Sequence, residues 1–155
     1  MITPFDTTDV LIVGAGPTGL ALAYQLRRAG VGCRLIDKNS GPSTTSKALG
    51  LQYRVSEVLA TMGLIDEFLA RGVVGTAVRF HAPGRVLFDL QLGFAAESAG
   101  AGAFAPRAIV IPQSDTEAIL LAGLRRLGGD VAWSTELLDL ELAAAGVRAR
   151  VRLSD

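Results

Sequence analysis

The sequence predicts an α/β fold built on a parallel sheet, and three features near its N-terminus carry that prediction. Residues 10–13, VLIV, are a short continuous apolar run of the kind buried on both faces of a sheet. A glycine-rich turn containing Gly14, Gly16 and Gly19 then leads directly into a helical pattern. A second strand-like run, CRLID over residues 33–37, comes where that pattern stops at Gly30 and Gly32. Strand, helix and strand within about 30 residues make a βαβ unit.

The totals narrow the class further. A chain of 155 residues is the size of about one domain and can bury a real core. Half of it is apolar and 19% is charged, the balance of an ordered globular protein. Fifteen basic and fifteen acidic residues cancel, so no net field draws in nucleic acid or an anionic membrane. Cys33 is the sole cysteine, which rules out an intrachain disulfide, and its apolar setting predicts a buried, inert thiol. The start, MITPFDTTDV, lacks the basic and apolar regions of a signal peptide. The longest apolar stretch, residues 10–26, is interrupted by three glycines and a proline, and falls short of the roughly 20 residues that span a membrane. These features predict a soluble, cytoplasmic protein with neither nucleic-acid nor membrane partners.

Along the chain, Pro17 suits the first turn of the first helix, where its missing N–H is not needed. Leu22, Leu26 and Ala29 are spaced for one face of that helix. Residues 38–50, rich in Gly, Pro, Ser and Thr, read as a loop. From Gln52 the pattern is helical, with Val55, Leu59 and Met62 on one face, and LIDEFLA forms a second short helix after Gly63. AVRFHAPGRVLFDLQL predicts two strands around a Pro-Gly turn. Residues 93–107 are small and irregular, as in a mobile loop, and AIVIP is the next strand. Ser114 and Glu117 have capping-box spacing ahead of Leu120, Leu124 and Leu127. From Val131 to Leu153 the chain predicts two or three antiparallel strands that turn at AAAG. No internal repeat, low-complexity tract or clean domain boundary is visible.

The glycine turn is the one motif whose setting gives it meaning. In a Gly-x-Gly-x-x-Gly turn between strand and helix, the first glycine permits the tight turn and the second lets a pyrophosphate approach the backbone. The third lets helix and strand pack closely. Unpaired N–H groups of the first helical turn then face the anion, and the helix dipole favours its charge. Gly14, Ala15, Gly16, Pro17, Thr18 and Gly19 are therefore candidate cofactor-binding residues. Asp37 ends the second strand at the distance expected of an acid that hydrogen-bonds a ribose, and its charge argues against a 2′-phosphate there. This fingerprint does not separate NAD from FAD. Elsewhere, His81 sits beside a turn, Trp133 reads as a packing residue, and Arg125 and Arg126 fall on the solvated side of their helix. No cluster has metal-ligand spacing.

The residues beyond the fingerprint are more telling. Residues 8–72, from TDVLIVGAGPTG through LIDKNSGPSTTSKALGLQ to LIDEFLARG, resemble the start of the FAD-dependent aromatic hydroxylases. These are single-component flavin monooxygenases of the para-hydroxybenzoate hydroxylase type, and the likeness is closest to the branch acting on phenols and polycyclic polyketides. A second stretch, VIPQSDTEAILLAGLRRLGGDVAWSTELLDLEL, matches the same family in order and at a suitable separation.

The resemblance implies that Asp37 binds the adenosine ribose, where the family more often has glutamate. Lys38 falls where a basic residue is common near the adenosine. Lys47, before Ala48, stands in for an arginine that reaches the flavin phosphate or ring, keeping the charge but not the planar fork. Gln113 matches a glutamine that hydrogen-bonds the cofactor, and Leu137 a position whose backbone lies along the adenine. FAD is the implied cofactor, NAD(P)H the co-substrate and a small aromatic molecule the substrate. The cofactor carries the chemistry in this family, so no catalytic residue is expected.

The implied fold is a Rossmann-like FAD-binding domain over residues 1–155, with a parallel sheet and an antiparallel β-meander at its C-terminal end. Residues 76–110 read as an insertion that begins the substrate-domain sheet, starting with a β-hairpin. Two further FAD motifs of the family, an Asp-Gly pair and a later Gly-Asp pair, do not occur where the chain ends. It therefore reads as the truncated N-terminal third of a hydroxylase, with exposed apolar faces that would support self-association. Two other readings stay open: an NAD-binding reductase domain, against which stands the extra loop SKALGLQ, and a non-catalytic remnant.

Overall fold

The structure is a computed structural model that describes residues 7–43, 50–75, 77–91 and 108–154. The chain divides into two compact units, one of residues 1–44 with 120–155 and one of residues 45–119. No composition shift marks the second crossing, because it falls inside a helix, α4 (Gln113–Arg126).

The first unit starts with β1 (Val10–Val13), α1 (Pro17–Arg28) and β2 (Cys33–Ile36). β1 and β2 pair in parallel, Val10 opposite Cys33 through Val13 opposite Ile36. α1 closes at Gly30 in a left-handed conformation (φ 74°), with the amides of Gly30 and Val31 donating to the carbonyls of Arg27 and Leu26. Those two bonds take up carbonyls that the helix end would otherwise leave open. The buried face of α1 is Leu20, Ala23 and Tyr24, while Leu22 is 46% exposed. Of the stripe expected at Leu22, Leu26 and Ala29, only Leu26 is part-buried, and the other two are exposed. Small Ala23 lies on the face that packs on β2, and the apolar spacing alone did not distinguish the two stripes. Cys33 is buried, as its setting predicts.

β8 (Val131–Ala132) adds the third strand of this sheet, parallel to β2 through Leu35–Val131 and Ile36–Ala132, in the order β1-β2-β8. The expectation of a wholly antiparallel ending is corrected here. Two residues are too few to show a pattern, and Ser134, at φ 51°, turns the chain out of the parallel sheet. The antiparallel part is the hairpin of β9 (Thr135–Ala143) and β10 (Gly146–Leu153), turning within the AAAG segment. One face carries Leu140 and Leu142, both exposed, opposite Ala149 and Val147, and the other carries ion pairs such as Arg148–Glu141 at 3.3 Å. Leu120, Leu121 and Leu124 of α4 are buried in the unit, whereas Leu127 lies beyond the helix and is 39% exposed.

The second unit contains β3 (Gly50–Leu51), α2 (Tyr53–Met62), α3 (Ile65–Arg71), β4 (Val73–Gly75) and β7 (Ala108–Val110). β7 is the middle strand of an antiparallel sheet, with β3 and β4 at its sides. β3 and β4 are too short for alternation to announce them, and β3 begins in the expected loop. Leu59 and Met62 are buried as expected, but Ser56 takes the place of Val55, which is 39% exposed. Phe68, Leu64, Ile109, Ile111 and Ile119 are fully or almost fully buried. The expected loop at residues 93–107 lies outside the described residues.

α4 starts one residue before its expected cap. The carbonyl of Pro112 accepts from the amides of Asp115 and Thr116, which leaves Ser114 inside the first turn. Glu117 accepts instead from the Gln113 side chain, at 2.7 Å, so the Ser114–Glu117 capping box does not form.

β5 (Ala77–Ala82) and β6 (Arg85–Gln91) form the expected hairpin around Pro83-Gly84. On one face Phe80 and Phe88 stack with centroids 4.5 Å apart. On the other, Arg79 grips Asp89 through two 2.8 Å hydrogen bonds. His81 is exposed beside the turn. Among the described residues no helix is long and apolar enough to cross a membrane. No group of three or more His, Cys, Asp or Glu residues there could hold a metal.

This packing leads to two expected outcomes. Phe68→Ala should cost about 3–5 kcal/mol in urea unfolding, the range for deleting a fully buried ring. The Arg79 guanidinium holds the Asp89 carboxyl below its usual range. Its contribution is thus present above the ordinary carboxylate pKa and lost as pH falls through the lowered one. An NMR titration should show the Asp89 midpoint rising toward the usual range in Arg79→Gln.

Candidate functional site

The site is built in the first unit, where the C-terminal ends of β1 and β2 meet the start of α1. Gly14 has φ 101°, a conformation that any side chain would strain, and its amide donates to the Ile36 carbonyl at 2.8 Å. At Gly19 the constraint is space: a Cβ would lie 1.9 Å from the Gly14 carbonyl oxygen. The third glycine therefore lets the helix close on the turn.

Gly16 is different. Its backbone is extended (φ −72°, ψ −178°), and a Cβ there would meet no atom within 4 Å. None of the described residues requires a glycine at this position. A bare backbone at that point suits a ligand that must come close.

α1 then begins with no side-chain cap and no acid in its first turn. Its first-turn amides have no carbonyl ahead of them in the helix, and Pro17 brings no amide at all. This is an anion-binding arrangement.

Asp37 lies directly after β2 and is held on four sides. Its amide donates to the Ala132 carbonyl at 3.1 Å, and its carbonyl accepts from the Thr135 amide at 2.8 Å. Carboxylate Oδ2 accepts from the Ala15 amide at 2.7 Å, inside the glycine turn. Oδ1 accepts from both the amide and the side-chain Nδ2 of Asn39, each at 2.8 Å. A carboxylate has about four acceptor positions. Three are taken, so Oδ2 keeps room for one further donor.

Two adjoining hollows result, sharing Val13 and Gly14. One, of ≈ 340 Å³, is lined by Gly14, Gly16, Pro17, Thr18, Gly19 and Leu22, among others. The other, of ≈ 380 Å³, runs past Asp37 and Lys38 to Thr135, Glu136 and Leu137. Of the expected site residues, the structure thus brings the glycine turn, Asp37, Lys38 and Leu137 onto one continuous surface. Ala15 is buried beneath it and contributes its amide to Asp37. Lys47 lies outside the described residues, and Gln113 belongs to the second unit.

Three lining residues escape a reading of the sequence. Asn39 is read only as loop, although Asp-x-Asn is a turn-forming pattern. Thr135 and Glu136 immediately precede Leu137, and Glu136 is ion-paired with Arg152 across the β9–β10 hairpin.

Comparison with known proteins bears on which dinucleotide fits. The family model described as FAD binding domain matches residues 7–155. The chain belongs to this family. It is 38% identical over 149 residues to 6-methylpretetramide 4-monooxygenase of Streptomyces rimosus, covering 95% of this chain and 26% of that protein. It is 33% identical to pentachlorophenol 4-monooxygenase of Sphingobium chlorophenolicum, covering 94% and 26% of the two chains. The crystal structure of aklavinone-11 hydroxylase with FAD and aklavinone superposes with a TM-score of 0.79 at 30% identity, covering 96% and 30%. The flavin-dependent monooxygenase PieE, in complex with FAD and substrate, gives a TM-score of 0.83 at 26% identity, covering 96% and 27%. This chain thus spans about a quarter of the length of the curated relatives it matches.

The residues present fit the adenosine and pyrophosphate half of FAD. Gly16 leaves open the space that a Cβ would fill, the α1 amides answer an anion, and Asp37 keeps an acceptor for a hydroxyl. The two glycines should separate cleanly by substitution. Gly19→Ala should lower the melting temperature sharply, because its methyl collides with backbone. Gly16→Ala should cost no more than about 1 kcal/mol of stability, as for loss of a glycine N-cap, yet weaken FAD binding at least ten-fold. Thermal melts and flavin titrations of both variants check this.

Proposed function

We propose that this chain is the FAD-binding segment of a flavin monooxygenase that hydroxylates an aromatic, phenolic or polyketide-like substrate with NAD(P)H and O₂. The observation that carries the reading is the single surface joining the glycine turn to Asp37, in a chain whose relatives are monooxygenases of such compounds. When bound, FAD supplies electron transfer from the nicotinamide and oxygen transfer to the ring.

The chain's own residues bind and orient. Amides of the α1 first turn face the pyrophosphate, with Gly14, Gly16, Pro17, Thr18 and Gly19 shaping the approach. Asp37 accepts from a ribose hydroxyl at Oδ2. Lys38 stands beside it as a positive charge, and the backbone at Leu137 lies along the adenine. The family resemblance further implies cofactor contacts for Lys47 and Gln113. This reading assigns no catalytic acid, base or nucleophile to the segment.

The three-stranded parallel sheet is in this reading the start of a Rossmann-type domain, incomplete relative to the family. Residues 76–110, with the β5–β6 hairpin, open the substrate-binding sheet. The exposed apolar faces of the two hairpins support self-association of the isolated chain.

The test is the visible spectrum of the purified chain after incubation with FAD and gel filtration. Flavin bands that co-elute with the protein are the expected result, and NAD at the same concentration should not displace them. Protein that elutes free of flavin would overturn the binding role.

A further inference from the structure

We infer that Asn39 is a positioning residue for the nucleotide, acting through Asp37 on the glycine turn. The inference rests on the proposed FAD-binding role. Asn39 is exposed, and its amide and Nδ2 both donate to Oδ1 of Asp37 at 2.8 Å. Those two bonds fill the acceptor positions of Oδ1 and fix the plane of the carboxylate. Oδ2 is thereby set on the Ala15 amide at 2.7 Å, and its remaining lone pair is the one left for a ribose hydroxyl. With both oxygens committed, a donor on the ligand meets an acceptor that is already oriented and loses less freedom on binding.

A second contact ties the same residue to the opposite wall. The Asn39 carbonyl accepts from the Ser134 amide at 2.8 Å, where Ser134 has φ 51°, the only positive φ outside glycine among the described residues. Ser134 is held from its other side by the Ser154 amide, which donates to its carbonyl at 2.8 Å. The neighbouring Thr135 amide donates to the Asp37 carbonyl. Asn39 thus joins the acid, the glycine turn and the Thr135–Leu137 wall in one connected set of hydrogen bonds.

The test is a double-mutant cycle on FAD and ADP affinity, using Asn39→Ala, Asp37→Asn and the pair, with FMN as the probe that lacks the adenosine end. Asn39→Ala should weaken FAD and ADP alike, by about three- to ten-fold, the range for one lost hydrogen bond to an exposed acceptor. FMN binding should not change. The pair should bind no worse than Asp37→Asn alone, because Asn39 then has no carboxylate left to orient. Additive losses, or unchanged ADP affinity in Asn39→Ala, would overturn the inference.

Hydrogen exchange of the Ala15 amide supplies a readout that needs no ligand. Exchange there should speed up in Asn39→Ala while that of Ile12 in β1 holds. Unchanged Ala15 exchange would overturn the positioning role even if FAD binds. A wild-type chain that binds neither FAD nor ADP would instead overturn the nucleotide reading, with the Ala15 amide still deciding whether Asn39 positions the turn.

Discussion

A methyl group at residue 19 would sit 1.9 Å from the carbonyl oxygen of Gly14, and most of what the first unit does depends on that closeness. Because α1 starts against the end of β1, its unpaired amides open where the strands end and not out over solvent. The approach also brings the Ala15 amide within 2.7 Å of Asp37, so the turn after β1 and the acid after β2 hold each other in place. Loosening this contact would separate the first-turn amides of α1 from the Asp37 carboxylate, although each residue would survive on its own.

The three glycines of the motif answer to three different demands. Gly14 is required by its dihedral angle and Gly19 by the atom opposite it, both internal to the fold. Gly16 is required by neither, and its bare backbone leaves the turn open for a close-approaching ligand. A functional glycine can therefore be told from a structural one by asking what in the protein a Cβ would touch.

The parts of this site that were legible in the sequence are those fixed by local chemistry. The glycine spacing, the apolar runs on either side and Asp37 all lie within one βαβ unit, so short-range patterning was enough to assign them. Features set by tertiary context were not legible. Leu22 and Leu20 are equally apolar, and only the packed structure shows that Leu20 faces inward. The parallel placement of Val131–Ala132 depends on residues nearly a hundred positions away, which no local pattern encodes. α4 starts early because the Pro112 carbonyl accepts from the Asp115 and Thr116 amides, which Ser114–Glu117 spacing could not reveal. Asn39, Thr135 and Glu136 are ordinary polar residues whose importance comes only from what the fold sets beside them.

The pairing of β8 with β2 also bears on the order in which the molecule can assemble. β1, α1 and β2 are contiguous, but the strand that flanks β2 is made almost a hundred residues after it. Closing so long a segment is entropically slow compared with forming a hairpin such as β9–β10, whose strands are neighbours in sequence. During synthesis the nascent βαβ unit must therefore wait with one side of its sheet uncovered. The amides of Asp37 and Thr135, which join the two halves of the cleft, find their acceptors only at the end of that wait.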